Sequence, residues 1–419
     1  MTELFVSPRY LDRTGDTLYS SKEIRFDKPD TKPIITPIVG MDNRDLKVND
    51  NIAYAATGLN EIYRVLEEPT KVTYTAPTSK SPVRIPLSKL VHDAKKQEIF
   101  NNDIQHQIGK LSGPSIFFMD YKGRKYPTET ERNFILHTEH TFSDVQCLPI
   151  TPFIAKAVIA DEQPFEDYLE FIKGSIEWLK KFRKKPIMGI IVNFGYAKLE
   201  QLIKLYVDQG INAFCIDFDC HTPISHKSAI AQCYRILEDY GRLENSFFYA
   251  INVNQGRFVH DKSVINAKDV LSFGFGLDGL GKRHRSKFPS KEMIERLGAR
   301  WKPLDRSQNR IRLFIKNDYG YYKVQSVNDI KNYPYDSSIP LSAFMNSFDA
   351  TDPHTKHCER IFNMEQLGLE ASKLRAIIEK EVPIDYLEKK EHIDPKDIQQ
   401  IKKFKETVTH PQKTFDEIL

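Results

Sequence analysis

The chain contains no CxxC pair, and its five cysteines (Cys147, Cys215, Cys220, Cys233, Cys358) are scattered and odd in number. A cysteine-rich zinc ribbon is therefore excluded, and reduced thiols in a cytoplasmic setting are expected. No stretch approaches the roughly 20 apolar residues that cross a bilayer, so no membrane partner is expected. The opening "MTELFVSPRY" lacks a basic region followed by an apolar core, so a secretory signal is not expected. No GxGxxG follows the first strand-like run, which argues against dinucleotide binding. Low-complexity segments are also missing. The 419 residues, 40% hydrophobic and 28% charged, are enough for one large core with appendages or for two domains. A net charge of +4 permits a polyanionic partner without requiring one.

Buried strands alternating with amphipathic helices are the main feature present. "KPIITPIVG" (Lys32 to Gly40) reads as a short buried strand with a glycine stop, and "PSIFFMD" (Pro114 to Asp120) as a strand covered on both faces. From "PFEDYLEFIKGSIEWLKKFRKK" onward, helices alternate with "PIMGIIVN", "INAFCIDFD", "NSFFYAINV" and "VLSFGFGLD", with "DKSVINAKD" as a short helical turn. Units of about 25–30 residues in this order argue for βαβ repeats and a parallel sheet. The predicted fold class is α/β, a (β/α)8 TIM-type barrel with a small C-terminal α+β extension. The predicted divisions are an arm over 1–30, a barrel over 31–300, a hairpin and closing helix over 301–382, and a solvated charged tail over 383–419. "RIRLFIKNDYGYYKVQ" reads as the hairpin, and "NMEQLGLEASKLRAIIEKEV" (Asn363 to Val382) as the closing helix.

The predicted strands end in Asp120, Asn193, Asp217 with Asp219, Asn252, and Asp278. Strand C-termini form the catalytic face of a βα barrel. Asp278, in "GLDGLGKRHR", supplies either a turn residue or a carboxylate nucleophile for a cationic glycosidic transition state. Lys282, Arg283, His284 and Arg285 behind it suit phosphates. Asp120 pairs with Asp278 as general acid/base, or merely caps the next element. Asp217 and Asp219, at i and i+2, face one way, with His221 continuing the series. They hold a metal ion, accept from the N–H groups of a base, or sit in a surface loop. His354, His357 and Cys358 offer half of a zinc site without a second pair of soft ligands. The aromatic run Tyr319 to Lys323 reads as hairpin packing.

The order of these motifs resembles the tRNA-guanine transglycosylase superfamily, (β/α)8 barrels that exchange a purine for a 7-deazaguanine in nucleic acid. "GPSIFFMDYKG" looks like that family's "GPILTDSGGF", which would make Asp120 the acid/base. "LPITPF" keeps Thr151 and Pro152 but no acid before them. "MGIIVNFG" is similar to "FGIQQG", with Asn193 in the amide role, and "NAFCIDFDCHTP" replaces base-touching glycines by Asp217 and its neighbours. "GFGLDGLGKRH" fits "DMFDCVLPTR", with Asp278 as nucleophile. The family's zinc pattern, CxCxxC plus a histidine, is missing, so no cofactor is expected. The resemblance implies a pentosyltransferase working through a covalent aspartyl-glycosyl intermediate on tRNA or DNA. The implied partners are nucleic acid, a 7-deazaguanine-type base, and a second subunit in a homodimer or heterodimer. Asn193, Asp217, Asp219 and Asn252 would bind the base, and Lys282 to Arg285 the phosphates. Two other readings stand beside it: a silent nucleic-acid-binding partner subunit, and a metal-dependent barrel enzyme acting on a small phosphorylated substrate.

Overall fold

A computed structural model describes residues 4–12, 14–26, 32–42, 45, 58–67, 71–75, 82–108, 113–182, 185–256, 262–285, 295–296, 298, 311–324, 326, 329, 337–344 and 352–409. Eight parallel strands close into a barrel: β1 (Ile38–Asp42), β2 (Leu59–Glu67), β3 (Ser115–Tyr121), β4 (Val145–Cys147), β5 (Ile187–Ile191), β6 (Ala213–Asp217), β7 (Phe247–Ile251) and β8 (Gly279–Leu280). Each strand pairs in parallel with the one before it, and β8 closes the ring by placing Gly279 opposite Ile38 and Leu280 opposite Val39. Burial on both faces explains the lack of polar alternation: all of "SIFFMDY" in β3 is buried.

Helices Glu129–Phe142, Pro152–Ile159, Phe165–Leu179, Tyr196–Asp208 and Pro223–Asp239 cover the outside of β3 to β7. Phe165–Leu179 shows why they form. Phe165, Tyr168, Ile172, Ile176 and Leu179 recur every three or four residues and are buried, whereas Glu166, Lys173 and Glu177 are not. Thr128 and Glu131 form a capping box that starts the helix behind β3. No described helix is long and apolar enough to cross a membrane.

Several expectations are corrected. The segment after β7 holds a strand, Val264–Asn266, where a helical turn is predicted, and it joins the hairpin Ile311–Ile315/Gly320–Val324 in an antiparallel sheet. "VLSFGF" is then a 3-10 helix (Val270–Phe275), not a barrel strand. It is apolar all round because it lies wedged between barrel and C-terminal helix, with Phe275 and Phe404 rings 4.9 Å apart; a short buried run does not declare its period. Gly276 ends it in the left-handed region at φ 79°, so β8 begins only at Gly279.

The closing helix spans Pro353–Lys380, starting ahead of the predicted Asn363, because Asp352 accepts from the Thr355 amide and Pro353 fits the first turn. The tail packs rather than trailing in solvent: helix Pro395–Thr409 buries Ile401, Phe404 and Val408, and lies against Pro223–Asp239. The arm is also structured, with Phe5–Leu11 and Ser20–Arg25 pairing antiparallel near the barrel's N-terminal end.

Candidate active site

Strand alternation and register decide which side chains enter the barrel. Asp42 lies opposite Glu61, Tyr63 opposite Phe118, and Ile251 opposite Asp217. Partners in register point to the same side. Tyr249 fills the middle of the lumen, where a Cβ on Gly40, Gly279 or Gly281 would come within 3 Å of its ring or hydroxyl. The Tyr249 hydroxyl donates to Glu61 Oε1 at 2.6 Å. Above this layer, at the strand C-termini, Asp42, Asp120 and Asp217 converge with Glu61 and Tyr63.

The chain leaving β8 folds back over these acids. Lys282 Nζ pairs with Asp42 at 3.2 Å and with Asp45, and its backbone amide donates to Glu61. His284 stacks on Tyr63, ring centroids 3.9 Å apart, with Nε2 3.0 Å from Glu61 Oε2. Arg285 reaches furthest in. Its Nε and Nη2 each lie 3.1 Å from an Asp120 oxygen, while Nη1 is 2.8 Å from Asp217 and 3.4 Å from Asp219. Asn252 latches this segment: Oδ1 accepts from the amides of His284 and Arg285 at 2.8 and 3.0 Å, and Nδ2 donates to Asp217 at 3.0 Å. Its φ of 57° is a left-handed conformation that asparagine tolerates better than most residues.

Asp120 is fully buried, and it also accepts from the Tyr63 hydroxyl and from Lys122 Nζ at 2.6 Å. Burial works to raise its pKa, but Arg285 and Lys122 outweigh that effect and hold the carboxyl below its usual range. Burial, reinforced by the Asp120 charge, pushes the Tyr63 phenol up, so it stays a proton donor. Burial lowers Lys122. Arg285 is held up by Asp217 and Asp120 against the opposing effect of burial.

Several predicted roles change position. Asp278 lies at the opposite end of the barrel from Asp120. It precedes β8, and its Oδ2 accepts from the amide of Phe248, near the start of β7, at 2.9 Å and from Lys22 Nζ at 3.0 Å. Its parity with Leu280 turns it outward, and Tyr234 of an outer helix feels its charge. A nucleophile–acid pair of Asp278 with Asp120 is therefore ruled out by geometry. The apolar run before Asp278 misled the reading, since it brings the chain back to the start of a strand and not to the end of one. Lys282, His284 and Arg285 face barrel acids, and Arg283 Nε donates to the Arg285 carbonyl at 3.1 Å. Asn193 is exposed and its Oδ1 accepts from Gly195 N at 3.4 Å, apart from the cluster. His221 is exposed, its Nδ1 2.9 Å from the Phe218 carbonyl, and Asp217 and Asp219 share Arg285. His354 and Cys358 lie 3.6 Å apart in the closing helix, and among the described residues they belong to no cluster of three metal-ligating groups.

Asp42, Asp45, Glu61, Tyr63, Lys122 and Tyr249 escaped the sequence reading. Asp42 carried the same signal as Asp120, an acid closing an apolar strand. Glu61 and Tyr63 had none, because β2 mixes polar and apolar residues on its lumen side.

The assembled geometry is a pair of carboxylates, Asp120 and Asp217, bridged by one guanidinium at the barrel mouth, with the half-exposed Asp219 beside them. No family model matches the chain, and no curated protein is significantly similar to it.

Proposed function

We propose that the chain is a barrel glycosyltransferase that exchanges a guanine in nucleic acid for a 7-deazaguanine-type base, with Asp120, not Asp278, as the carboxylate that meets the sugar. The observation that carries the reading is Asp120 itself: an ionised carboxylate inside the barrel at a strand C-terminus, facing a second carboxylate across Arg285. Glycosyl transfer needs a carboxylate to meet the carbon that becomes cationic, and a neighbouring group to give the leaving base its proton. In the first step Arg285 swings from Asp120 toward Asp217, and Asp120 bonds to C1′ of a nucleotide turned out of its stack. The C1′–N bond breaks, its electron pair leaves with the purine, and the purine takes a proton from the Lys122 ammonium beside Asp120, which burial makes readier to give it up. The incoming base then bonds to C1′, gives its proton to the neutral Lys122 amine and releases Asp120. Asp217 accepts from base N–H groups. Phosphate contacts pass to Arg124, Lys125 and Lys156, exposed on the segments following β3 and β4, beside the exposed ring of Phe153.

A second reading, a silent nucleic-acid-binding partner subunit, is favoured by one observation. Asp120 already accepts from Tyr63, Lys122 and two nitrogens of Arg285, which leaves little of it for attack.

The test is covalent trapping. The protein is incubated with tRNA or duplex DNA and a 7-deazaguanine, denatured, and resolved by gel and intact mass. A shifted species with one polymer is expected, lost in Asp120→Asn and retained in folded Asp278→Asn. Salt-sensitive binding without a shift, unaffected by Asp120→Asn, would establish the silent subunit instead.

A further inference from the structure

A cavity of about 280 Å³ opens beside the barrel mouth, between β1, β8, the chain after β7 and the helix Pro353–Lys380. Its floor is apolar, with Val39, Val253, Leu280, Met364 and Leu367 contributing. Val39 and Leu280 are register partners on the outer side of the barrel wall, so the space opens outside the lumen, and it meets the mouth only at its rim, through Asp42, Asp45 and Lys282.

The charges around it are unequally matched. Lys282 is taken by Asp42 and Asp45, and Arg360 pairs with Asp45 at 3.2 Å. Asp269 accepts from the Tyr321 hydroxyl at 2.7 Å and from the Val270 amide. Arg283 differs. Among the described residues its only hydrogen bond is from Nε to the Arg285 carbonyl, and it has no ion pair within 4.0 Å. A partly buried guanidinium with its Nη groups unengaged, above an apolar floor, is arranged for an anion that brings an apolar body with it.

We infer that this cavity is a binding site for a small organic anion, a phosphate or carboxylate carried on an apolar or aromatic group. Arg283 receives the anionic head, and Leu280, Met364 and Leu367 take the body. The site does not depend on glycosyl transfer. It does touch the mouth, because Arg283 holds the carbonyl of Arg285, whose guanidinium covers Asp120. An occupant that draws Arg283 outward pulls on the residue that closes the carboxylate pair.

The test uses phenyl phosphate, benzoate and inorganic phosphate as probes, titrated calorimetrically into the full chain. Phenyl phosphate is expected to bind one per chain and at least about tenfold more tightly than inorganic phosphate, since only the former covers the floor. Arg283→Gln should weaken it by about tenfold or more, and Met364→Trp, which fills the cavity from its other side, should do the same. Asn193→Ala, exposed and apart from both the cavity and the acid cluster, should leave it unchanged. Benzoate binding lost in Arg283→Gln would identify carboxylate as the accepted head. Failure of phenyl phosphate to bind the wild-type chain, or binding that survives both Arg283→Gln and Met364→Trp, would overturn the inference. Neither result bears on covalent trapping at Asp120.

Discussion

Arg285 grips Asp120 with two nitrogens, Nε and Nη2, each 3.1 Å from a carboxylate oxygen. The pair lies at the centre of the barrel mouth, with side chains 14% and 0% exposed. Two charges so placed are held by each other. Removing one leaves the other buried with less compensation, which costs about 3–5 kcal/mol. Arg285→Ala is expected to lower unfolding free energy in urea by that order. Arg285→Lys is expected to recover only part of it, since an ammonium cannot reproduce the planar fork. Equal stability of wild type and Arg285→Ala would show that Lys122 and Tyr63 suffice for Asp120.

Asp278 and Lys22 form the corresponding buried pair at the other end of the barrel, 3.0 Å apart. Burial pushes the Asp278 carboxyl up, against the pull of Lys22 and of the Phe248 amide. Lys22 Nζ also donates to the Ser246 carbonyl at 2.7 Å, so the pair ties the N-terminal arm to β7 and β8. Asp278→Ala should destabilise by about 3 kcal/mol or more. The double change Lys22→Met with Asp278→Leu should lose less than Asp278→Ala alone, because no buried charge is left without a partner. Chemical denaturation of the three variants measures this, and a double variant no better than the single one refutes it.

The different fates of Asp120 and Asp278 show what the sequence could convey. Both follow apolar runs, with a glycine one residue after Asp278 and three after Asp120. β3 is apolar on both faces through Met119, so the acid that ends it had to emerge at the C-terminal face. "VLSFGFGLD" looked the same, but its glycines serve a 3-10 helix and a left-handed turn, and that geometry depends on packing by Phe404, more than 120 residues later. The barrel itself was legible because its rhythm is local. The plug was not, because the pairing of Lys282 with Asp42, or of Arg285 with Asp120, joins residues that only barrel closure brings together. A basic run read alone points to phosphates. Read with the acids of β1, β3 and β6, it becomes an internal counter-charge.

Gly40 faces the hydroxyl of Tyr249, and a Cβ at that position would lie 1.7 Å from it. Tyr249 has little room to retreat, since its ring packs so near Gly279 and Gly281 that a Cβ on them would lie 2.4 and 2.8 Å from it. Gly40→Ala is therefore expected to cost about 1–3 kcal/mol or more through overpacking. Tyr249→Phe removes the contacting oxygen but leaves Glu61 without that donor. Combined with Gly40→Ala, it should restore part of the loss, so the double variant should melt above Gly40→Ala alone. Additive losses in thermal unfolding would place the clash elsewhere.

Asp269 sets a pH dependence whose sign can be worked out. It is fully buried, and burial raises its pKa from 3.8 to about 6, against hydrogen bonds from Tyr321 and the Val270 amide. The folded state thus takes up a proton near pH 6, whereas the unfolded chain waits until near 3.8. The stability linked to this proton is fully present below the unfolded value and lost as pH rises through about 6. A shift of two units corresponds to roughly 3 kcal/mol. Asp120, held below its ordinary value, acts in the opposite sense: it contributes above the unfolded pKa, and that contribution is lost as pH falls through its folded one. The two windows therefore adjoin rather than overlap. Asp269→Asn keeps an acceptor for the Tyr321 hydroxyl but carries no charge. Its stability relative to wild type, measured in urea, should rise between pH 4 and pH 6.5 by up to about 3 kcal/mol and then level off. A difference that stays flat across that interval would mean that Asp269 remains ionised in the fold, balanced by Arg283 across the cavity they share.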